Sequence, residues 1–518
     1  MYTTGPKVAH DMLCRFGGCT GRDVGRHVPL NTAEVAAERG IGHCSPPAIM
    51  TDVFHKIADA MTKLALSALS LVFCGAAFAH GTFSVTTYGA VCDGTTDDTA
   101  AIQFAINEAK AAGGGTVTFP GSTCLLNSNA PSSNGNFFYN IVVPSGVSLQ
   151  GTTGSKLLQG SRGRHAPVWG DYVRNTVVAI GNTNYAAITY NNGPVYALNA
   201  ITAGNRTVTL ATPSNASIFA PGDYVTINET DPAVSRCDVC ASQPVQLTGV
   251  NGSTGVLTLA DPVLRSWSVA PVISKVTATT SHDIGLSNLI VQGAEPLAAT
   301  EVYNLNVSGC QFLSDTNVGG SNLYMNQLNT VEHSSFSNNT FAPVSSGGPW
   351  VNQEMPQRNS QNDTWSGNTF KIAGLGFGEF GGNITMSGNH IYLHADGNSG
   401  NIVLGGLNVT FTGNDVHTVG NRTNDAGWGS IITDMNAPAG YIPYIGNIQI
   451  TNNTIDCAAD GNQCILLCVP GTVVSGNTFN ITGSAWGIYP AGGNAVILQN
   501  TFQSASGATW TGNEVRLH

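Results

Sequence analysis

One short phrase recurs ten times along this chain: an apolar residue, a small polar pair, an Asn, and a second apolar residue. Clear copies are SSFSNNTF from Ser334, DTWSGNTF from Asp363, ITMSGNHI from Ile384, VTFTGNDV from Val409, IQITNNTI from Ile448 and TVVSGNTF from Thr472; looser ones begin at Ile284, Leu305, Val496 and Ala508. From Asn368 the steps to Asn389, Asn414, Asn453, Asn477 and Asn500 are 21, 25, 39, 24 and 23 residues, a repeating unit with one insertion. A fixed period of roughly two dozen residues marks a solenoid. The unit is too short for a helix pair, and its β-branched and aromatic residues alternate with Thr, Ser and Asn before a break. Each unit is therefore one coil of short strands that buries its inward side chains only by stacking on its neighbours. Asn at the repeated turn accepts left-handed backbone and can bond its equivalents above and below. The expected fold is all-β: a single-stranded, right-handed parallel β-helix.

The first eighty residues read differently. MTKLALSALSLVFCGAAFAH, from Met61, has one Lys, an apolar run and a small-x-small end at Ala77 and Ala79. That is the pattern of a secretory signal peptide cleaved after Ala79, and the run is too short to span a membrane. Residues 1–60 precede it and are expected to be a non-native or disordered leader; residues 80–518 form the β-helix domain, secreted or periplasmic after cleavage. Between about 195 and 275 the pattern changes to alternating strands and turns (ITAGNRTVTL, GDYVTINET, GSTGVLTLADPV), which predicts a β excursion from the early coils.

After Ala79 there are 13 Lys and Arg against 25 Asp and Glu, an acidic balance that disfavours nucleic acid and anionic membranes as partners. Eight cysteines follow Ala79, at positions 92, 124, 237, 240, 310, 457, 464 and 468, an even number that points to disulfides in a secreted chain. Cys464 and Cys468 lie about 13 Å apart if extended, too far to pair with each other. A zinc site joining Cys237 and Cys240 to Cys464 and Cys468 is the rival reading, disfavoured by the absence of His at ligand spacing. Gly376, Gly378 and Gly381 match a dinucleotide fingerprint but lead into another strand, so no cofactor is expected.

From Phe83 the chain reads FSVTTYGAVCDGTTDDTAAIQFAINEAKAAGGGTVTFP. Asp97, Asp98 or Thr99 can cap a helix with Ala101, Ile102, Ala105, Ile106 and Ala109 on one side, stopped by Gly113 to Gly115 and followed by a strand at 116–119. Such a helix plugs the open end of a solenoid. The Tyr-Gly-Ala, Asp-Gly-x-x-Asp-Asp-Thr and Gly-Gly-Gly-Thr-Val-x-Phe-Pro elements resemble the opening of the pectate-lyase-like superfamily of right-handed parallel β-helices, in its rhamnogalacturonase/epimerase form. The resemblance implies the fold and a polysaccharide partner. The Asn-Thr-Asp, Asp-Asp, Gly-His-Gly and Arg-Ile-Lys pattern of polygalacturonases is absent, so no catalytic residue carries over.

Chemistry must then be read from the coils. A second strand precedes each Asn phrase, and aligning these strands by their apolar positions brings Glu354, Glu379 and Asp434 near one column with Gly405 between the last two. Glu354 and Glu379 would be neighbours at about 4.8 Å and Asp434 two coils further, an arrangement suited to an inverting glycoside hydrolase. Trp350 and Trp428 would stack on sugar faces and Arg358 would bind a hydroxyl or uronate. The bland alternative is that these are solvated turn charges. A second set lies on the Asn-phrase strands. In HIYLHAD, alternation turns His390, Tyr392, His394 and Asp396 outward; Asp415 and His417 follow one coil later and Lys371 stands one coil earlier, so Lys371, Tyr392 and His417 stack. A Lys, Tyr and His cluster suits proton abstraction from C5 of a uronate, the chemistry of a polysaccharide lyase or epimerase, with a divalent metal held by the His and Asp groups as a variant. Its bland counterpart is an outward polar strand with no task. Hydrolysis is the leading expectation, the lyase or epimerase the alternative, and non-catalytic carbohydrate binding by a surface solenoid the third.

Overall fold

A computed structural model describes residues 81–518 apart from 132–136, 164–173, 182–193, 230–242, 268–269, 316–325, 345–353, 359, 373, 380, 395–401, 420–430, 434–445, 459–462, 483–485, 490–494, 505–508 and 512–518. The expected signal peptide and leader lie outside the described residues. Each full coil contributes three short strands. Glu354–Arg358, Thr364–Ser366 and Thr369–Ile372 form one coil, and Gly374–Glu379, Gly382–Ser387 and His390–His394 the next. Each strand pairs in parallel with its equivalent in the following coil, giving three walls. Among the described residues, the first two walls run together as a sheet of 22 strands, joined through the long strand Glu295–Ser308, and the third is a separate sheet of 12. This is the parallel β-helix that the repeat predicts.

Inward strand positions along the central coils are mainly apolar, with the repeated Asn at the turn as the regular polar exception. Ile384, Met386, Ile391, Leu393, Val409, Phe411 and Val416 are wholly buried. Aromatic residues at equivalent positions stack from coil to coil: Phe312 on Phe341 at 5.1 Å, Phe341 on Phe370 at 5.0 Å, and Phe336 on Trp365 at 3.8 Å. Truncating one such ring costs about 3–5 kcal/mol.

The repeated Asn residues form a continuous buried ladder. Oδ1 of Asn389 accepts both the backbone N–H (2.9 Å) and the side-chain Nδ2–H (3.0 Å) of Asn368, and Oδ1 of Asn414 does the same for Asn389 at 3.0 and 2.9 Å. Asn453, Asn477 and Asn500 continue it. The expectation that this Asn is itself left-handed is corrected: that backbone belongs to the preceding residue, Asn338, Gly367, Gly388, Gly413, Asn452 or Gly476. The Asn is thereby turned inward, where its amide satisfies backbone groups that the bend would strand.

At the N-terminal end the helix Thr99–Ala111 buries Ile102, Ala105, Ile106 and Ala109 against the first coils. Asp98 holds the N-cap position, but its carboxylate accepts N–H bonds from Val91 (2.7 Å) and Cys92 (3.1 Å). Asp97 bonds the helix start instead, through the Thr99 N–H (3.1 Å) and Oγ1 (2.6 Å). Disulfides join Cys92 to Cys124 and Cys457 to Cys464. Cys464 is thus unavailable to a zinc site, and Cys237 and Cys240 lie outside the described residues. Cys310 is a buried thiol, pushed up to about 11 by burial.

Strands between Val195–Ala197 and Pro271–Lys275 form a separate six-stranded antiparallel sheet with its own core, including Val225, Leu247, Leu257, Trp267 and Ile273. It meets the solenoid through the His333 Nε2 contact to Asp261 (2.5 Å), the Gln361 Nε2–H bond to the Pro244 carbonyl (2.7 Å) and the Arg265 Nη2 bond to the Gly381 carbonyl (3.3 Å). Among the described residues, no helix is long and apolar enough to cross a membrane.

Candidate functional site

The third wall carries the densest outward cluster of titratable groups that the sequence anticipates. Strand alternation buries Ile391 and Leu393 and turns His390 and Tyr392 outward. Register then stacks three coils, with Lys371 opposite Tyr392 and Tyr392 opposite His417. The Tyr392 and His417 rings lie 5.1 Å apart and 20° from parallel. On the other side of Tyr392, Lys371 Nζ stands 6.0 Å from the ring centroid.

His417 is gripped from two directions. Its Nδ1 lies 2.6 Å from Asp456 Oδ2 and its Nε2 lies 2.8 Å from Asp415 Oδ2. A neutral imidazole has one N–H and can donate to only one of these carboxylates, so the geometry fits the doubly protonated ring. Burial alone would lower the His417 pKa, but the hydrogen bonds to Asp456 and Asp415 and their charges outweigh it, and the net shift is upward. Asn480 Nδ2 donates to Asp456 Oδ1 at 2.8 Å, orienting that carboxylate, and His390 Nδ1 lies 3.5 Å from Asp415 Oδ2. With both His417 nitrogens and Asp415 engaged in these contacts, the described residues do not converge on an open metal position here. Asp456 and Asn480 were missed from sequence. The signal was present: both continue the Lys371, Tyr392, His417 column, but beyond the long 39-residue step.

The carboxylate set fares differently. Glu354 pairs with Gly374, and Glu379 pairs with Arg358, with an irregularity between Pro356 and Arg358. The expectation that Glu354 and Glu379 are vertical neighbours is therefore corrected. Their backbone positions are offset by four residues, about 13 Å along the strand. The slip arises because these strands lack the Asn phrase that marks register elsewhere; the irregularity shifts the register by only one residue. The strand backbones at Glu354, Arg358, Glu379 and His394 are described, but not those side chains; Trp350, Asp396, Trp428 and Asp434 lie outside the described residues.

A second cluster, which the sequence reading did not find, lies where the inserted sheet meets the solenoid. Tyr224 and Tyr303 approach at 5.1 Å between ring centroids, and Tyr303 and His333 at 4.8 Å. Tyr224 and Tyr303 line a small, partly open cleft with room of about 20 Å³, enough for one water-sized group, which Glu332 also lines. Nothing local in the sequence links Tyr224 or Asp261 to residues 301–333.

Residues 82–154 match the family model described as rhamnogalacturonase A/epimerase, pectate lyase-like. The resemblance at the capping helix to the pectate-lyase-like superfamily is thereby borne out; the matched stretch contains the cap and first coils and none of the candidate site residues. Among curated proteins, no sequence matches. Similar solved structures include a tailspike of E. coli bacteriophage HK620 (15% identity, 81% of this chain and 66% of that one, TM-score 0.47). Also similar are the A-module of a mannuronan C-5 epimerase from Azotobacter vinelandii (15%, 84% and 96%, TM-score 0.43) and the Streptococcus pneumoniae surface adhesin PfbA (16%, 82% and 90%, TM-score 0.43).

Proposed function

We propose that this protein is a secreted carbohydrate-active β-helix that binds a uronate-containing polysaccharide along its third wall and removes the C5 proton of a uronate residue, as a lyase or epimerase. The observation that carries this reading is the column Lys371, Tyr392, His417, with His417 clamped between Asp415 and Asp456. His417 has no free nitrogen with which to accept a proton, so it serves as a fixed cation. Tyr392 lies between that cation and the Lys371 ammonium, and its phenol oxygen is the group in this column assigned as the base.

In this reading Tyr392 takes the C5 proton, and the electron pair left on C5 delocalises into the uronate carboxylate, whose growing charge the imidazolium and ammonium groups offset. In elimination that pair forms the C4–C5 double bond as the C4–O bond breaks, and the departing oxygen acquires a proton. In epimerisation a proton returns to C5 from the opposite face.

The test is incubation of the mature chain with a panel of uronic and neutral polysaccharides, following ultraviolet absorbance of unsaturated ends and deuterium incorporation at C5 in heavy water. Tyr392→Phe should reduce either signal by about 10²- to 10⁴-fold while polymer retention persists. New reducing ends without either signal, undiminished in Tyr392→Phe, would return the reaction to hydrolysis by Glu354, Glu379 and Asp434. Retention of unchanged polymer would leave a binding solenoid.

A further inference from the structure

From Asn304 onward, the corner between the first and second walls follows a rule that one coil breaks. Asn304, Asn362, Asn383, Asn408 and Asn447 all stand there in left-handed backbone. From Asn362 onward their side chains bond one another from coil to coil at 2.9 Å. In the coil between Asn304 and Asn362 the position is His333, which reaches sideways to Asp261 of the inserted sheet. Just before it, Glu332 is fully buried; the Gln361 side chain is its polar neighbour, but neither carboxylate oxygen forms a hydrogen bond of normal geometry among the described residues. Gln361, in register with Glu332 on the next coil, commits its amide nitrogen to the Pro244 carbonyl at 2.7 Å, and its Oε1 is likewise buried without a donor. The backbone beside Glu332 is also unusual: Glu301 and Thr330, which line the same cleft, have φ of 55° and 54°, a conformation that a β-branched Thr rarely adopts. Strain of this kind clusters where a ligand is received.

From this arrangement we infer that Glu332, which lines the cleft with Tyr224 and Tyr303, and Gln361 in register behind it form a binding site for a primary ammonium group, as an amino sugar carries. With Glu332 ionised, three buried acceptor atoms call for three donors. A water supplies two, whereas an ammonium group supplies three together with the charge that lets Glu332 ionise. Tyrosine faces suit a cation in a partly desolvated cleft.

The electrostatics agree with the geometry. Burial, then the charges of Asp363 and Asp261, push the Glu332 carboxyl well above the ordinary carboxylate range, against a smaller opposing effect of the Gln361 amide. Burial, with added effect from Asp283, Asp261 and Glu332, also raises Tyr224 and Tyr303. A place where neighbouring charge makes groups hold their protons attracts cations and repels uronates. The imidazole and guanidinium groups nearby are already engaged: His333 with Asp261, His282 with Asp283 at 2.9 Å, and Arg265 with the Gly381 carbonyl and the Trp267 ring. When an ammonium enters, Glu332 releases its proton to solvent, so binding is accompanied by loss of one proton per ligand.

This inference draws on the carbohydrate reading only for the word sugar, and its test measures binding without turnover, so either can fail alone. Calorimetric titration of the mature chain with glucosamine, N-acetylglucosamine and glucose, below the amine pKa and in two buffers of different ionisation enthalpy, reads affinity and proton release together. Glucosamine should bind with release approaching one proton; the two neutral sugars should bind at least ten-fold more weakly and release none. Methylammonium should compete with glucosamine, which ties recognition to the ammonium rather than the ring. Glu332→Gln, which keeps shape and loses charge, should weaken glucosamine at least ten-fold and abolish the proton release while the protein stays folded by circular dichroism. Equal binding of glucose, or no glucosamine binding by the intact protein, would overturn the site.

Discussion

Glu332 and His417 are opposite cases of a titratable side chain whose surroundings choose its protonation state. For Glu332 the folded pKa lies above the unfolded one, so the folded state holds the proton more tightly and stability falls as pH rises from the ordinary Glu value of 4.5 toward the raised one. Glu332→Gln removes that penalty. Its thermal midpoint should exceed that of the parent at pH 8, by the equivalent of about 1–3 kcal/mol, with the difference shrinking toward pH 4. Thermal unfolding at both pH values checks this; a less stable variant at pH 8 would mean that Glu332 is charged and paired in the folded protein. A residue whose replacement stabilises the fold while weakening a ligand is one retained for that ligand. His417 has the reverse sign. Its folded pKa is raised, so the stabilisation from Asp415 and Asp456 is complete below the unfolded value and is lost as pH rises through the folded one. Proposed turnover should decline over the same upper range as the imidazolium disappears.

At the scale of one element, the Asn ladder shows how a repeat becomes a structural device. Asn414 accepts two hydrogen bonds from Asn389 and donates to the Met386 carbonyl and to Asn453 at 3.1 Å, all in a buried setting. Asn414→Ala leaves several of those groups without partners and should cost about 2–4 kcal/mol, read as a lowered denaturation midpoint. Asn500→Ala, close to the C-terminal end, should cost distinctly less because end coils open locally; equal losses would show that the ladder carries no graded load. The ladder was legible because each Asn sits inside a phrase of fixed length. The same marker fixed the third wall, which is why Lys371, Tyr392 and His417 align as the pattern requires. First-wall strands such as Glu354–Arg358 carry no such marker, and apolar matching alone placed Glu379 beside the wrong neighbour. The true register already sets Glu354 beside Gly374, before the irregularity after Pro356, so apolar matching had slipped by several residues.

For the solenoid as a whole, what the sequence hid is what joins distant segments. The Glu332 cleft needs Tyr224 and Asp261 from the inserted sheet to meet Tyr303 and His333 from the coils, and no periodicity connects them. What the sequence revealed is the linear logic of stacking, in which each coil touches only the next and stability is close to a sum over neighbours. The disulfide between Cys92 and Cys124 tests that logic. It ties the segment before the helix Thr99–Ala111 to a strand of the first coil, with a sequence separation of 32, so its loss relaxes one end of the stack. Replacing both cysteines by Ala should lower local stability by about 2–4 kcal/mol. Amide exchange should accelerate in the helix and in Gly115–Thr118 and Thr123–Leu126, while the ladder amides of Asn389 and Asn414 keep their protection. Uniform acceleration along the stack would instead mean that the coils melt as one cooperative unit. In that case a weakened cap would loosen the Tyr392 column and the Glu332 cleft together, although both lie many coils away.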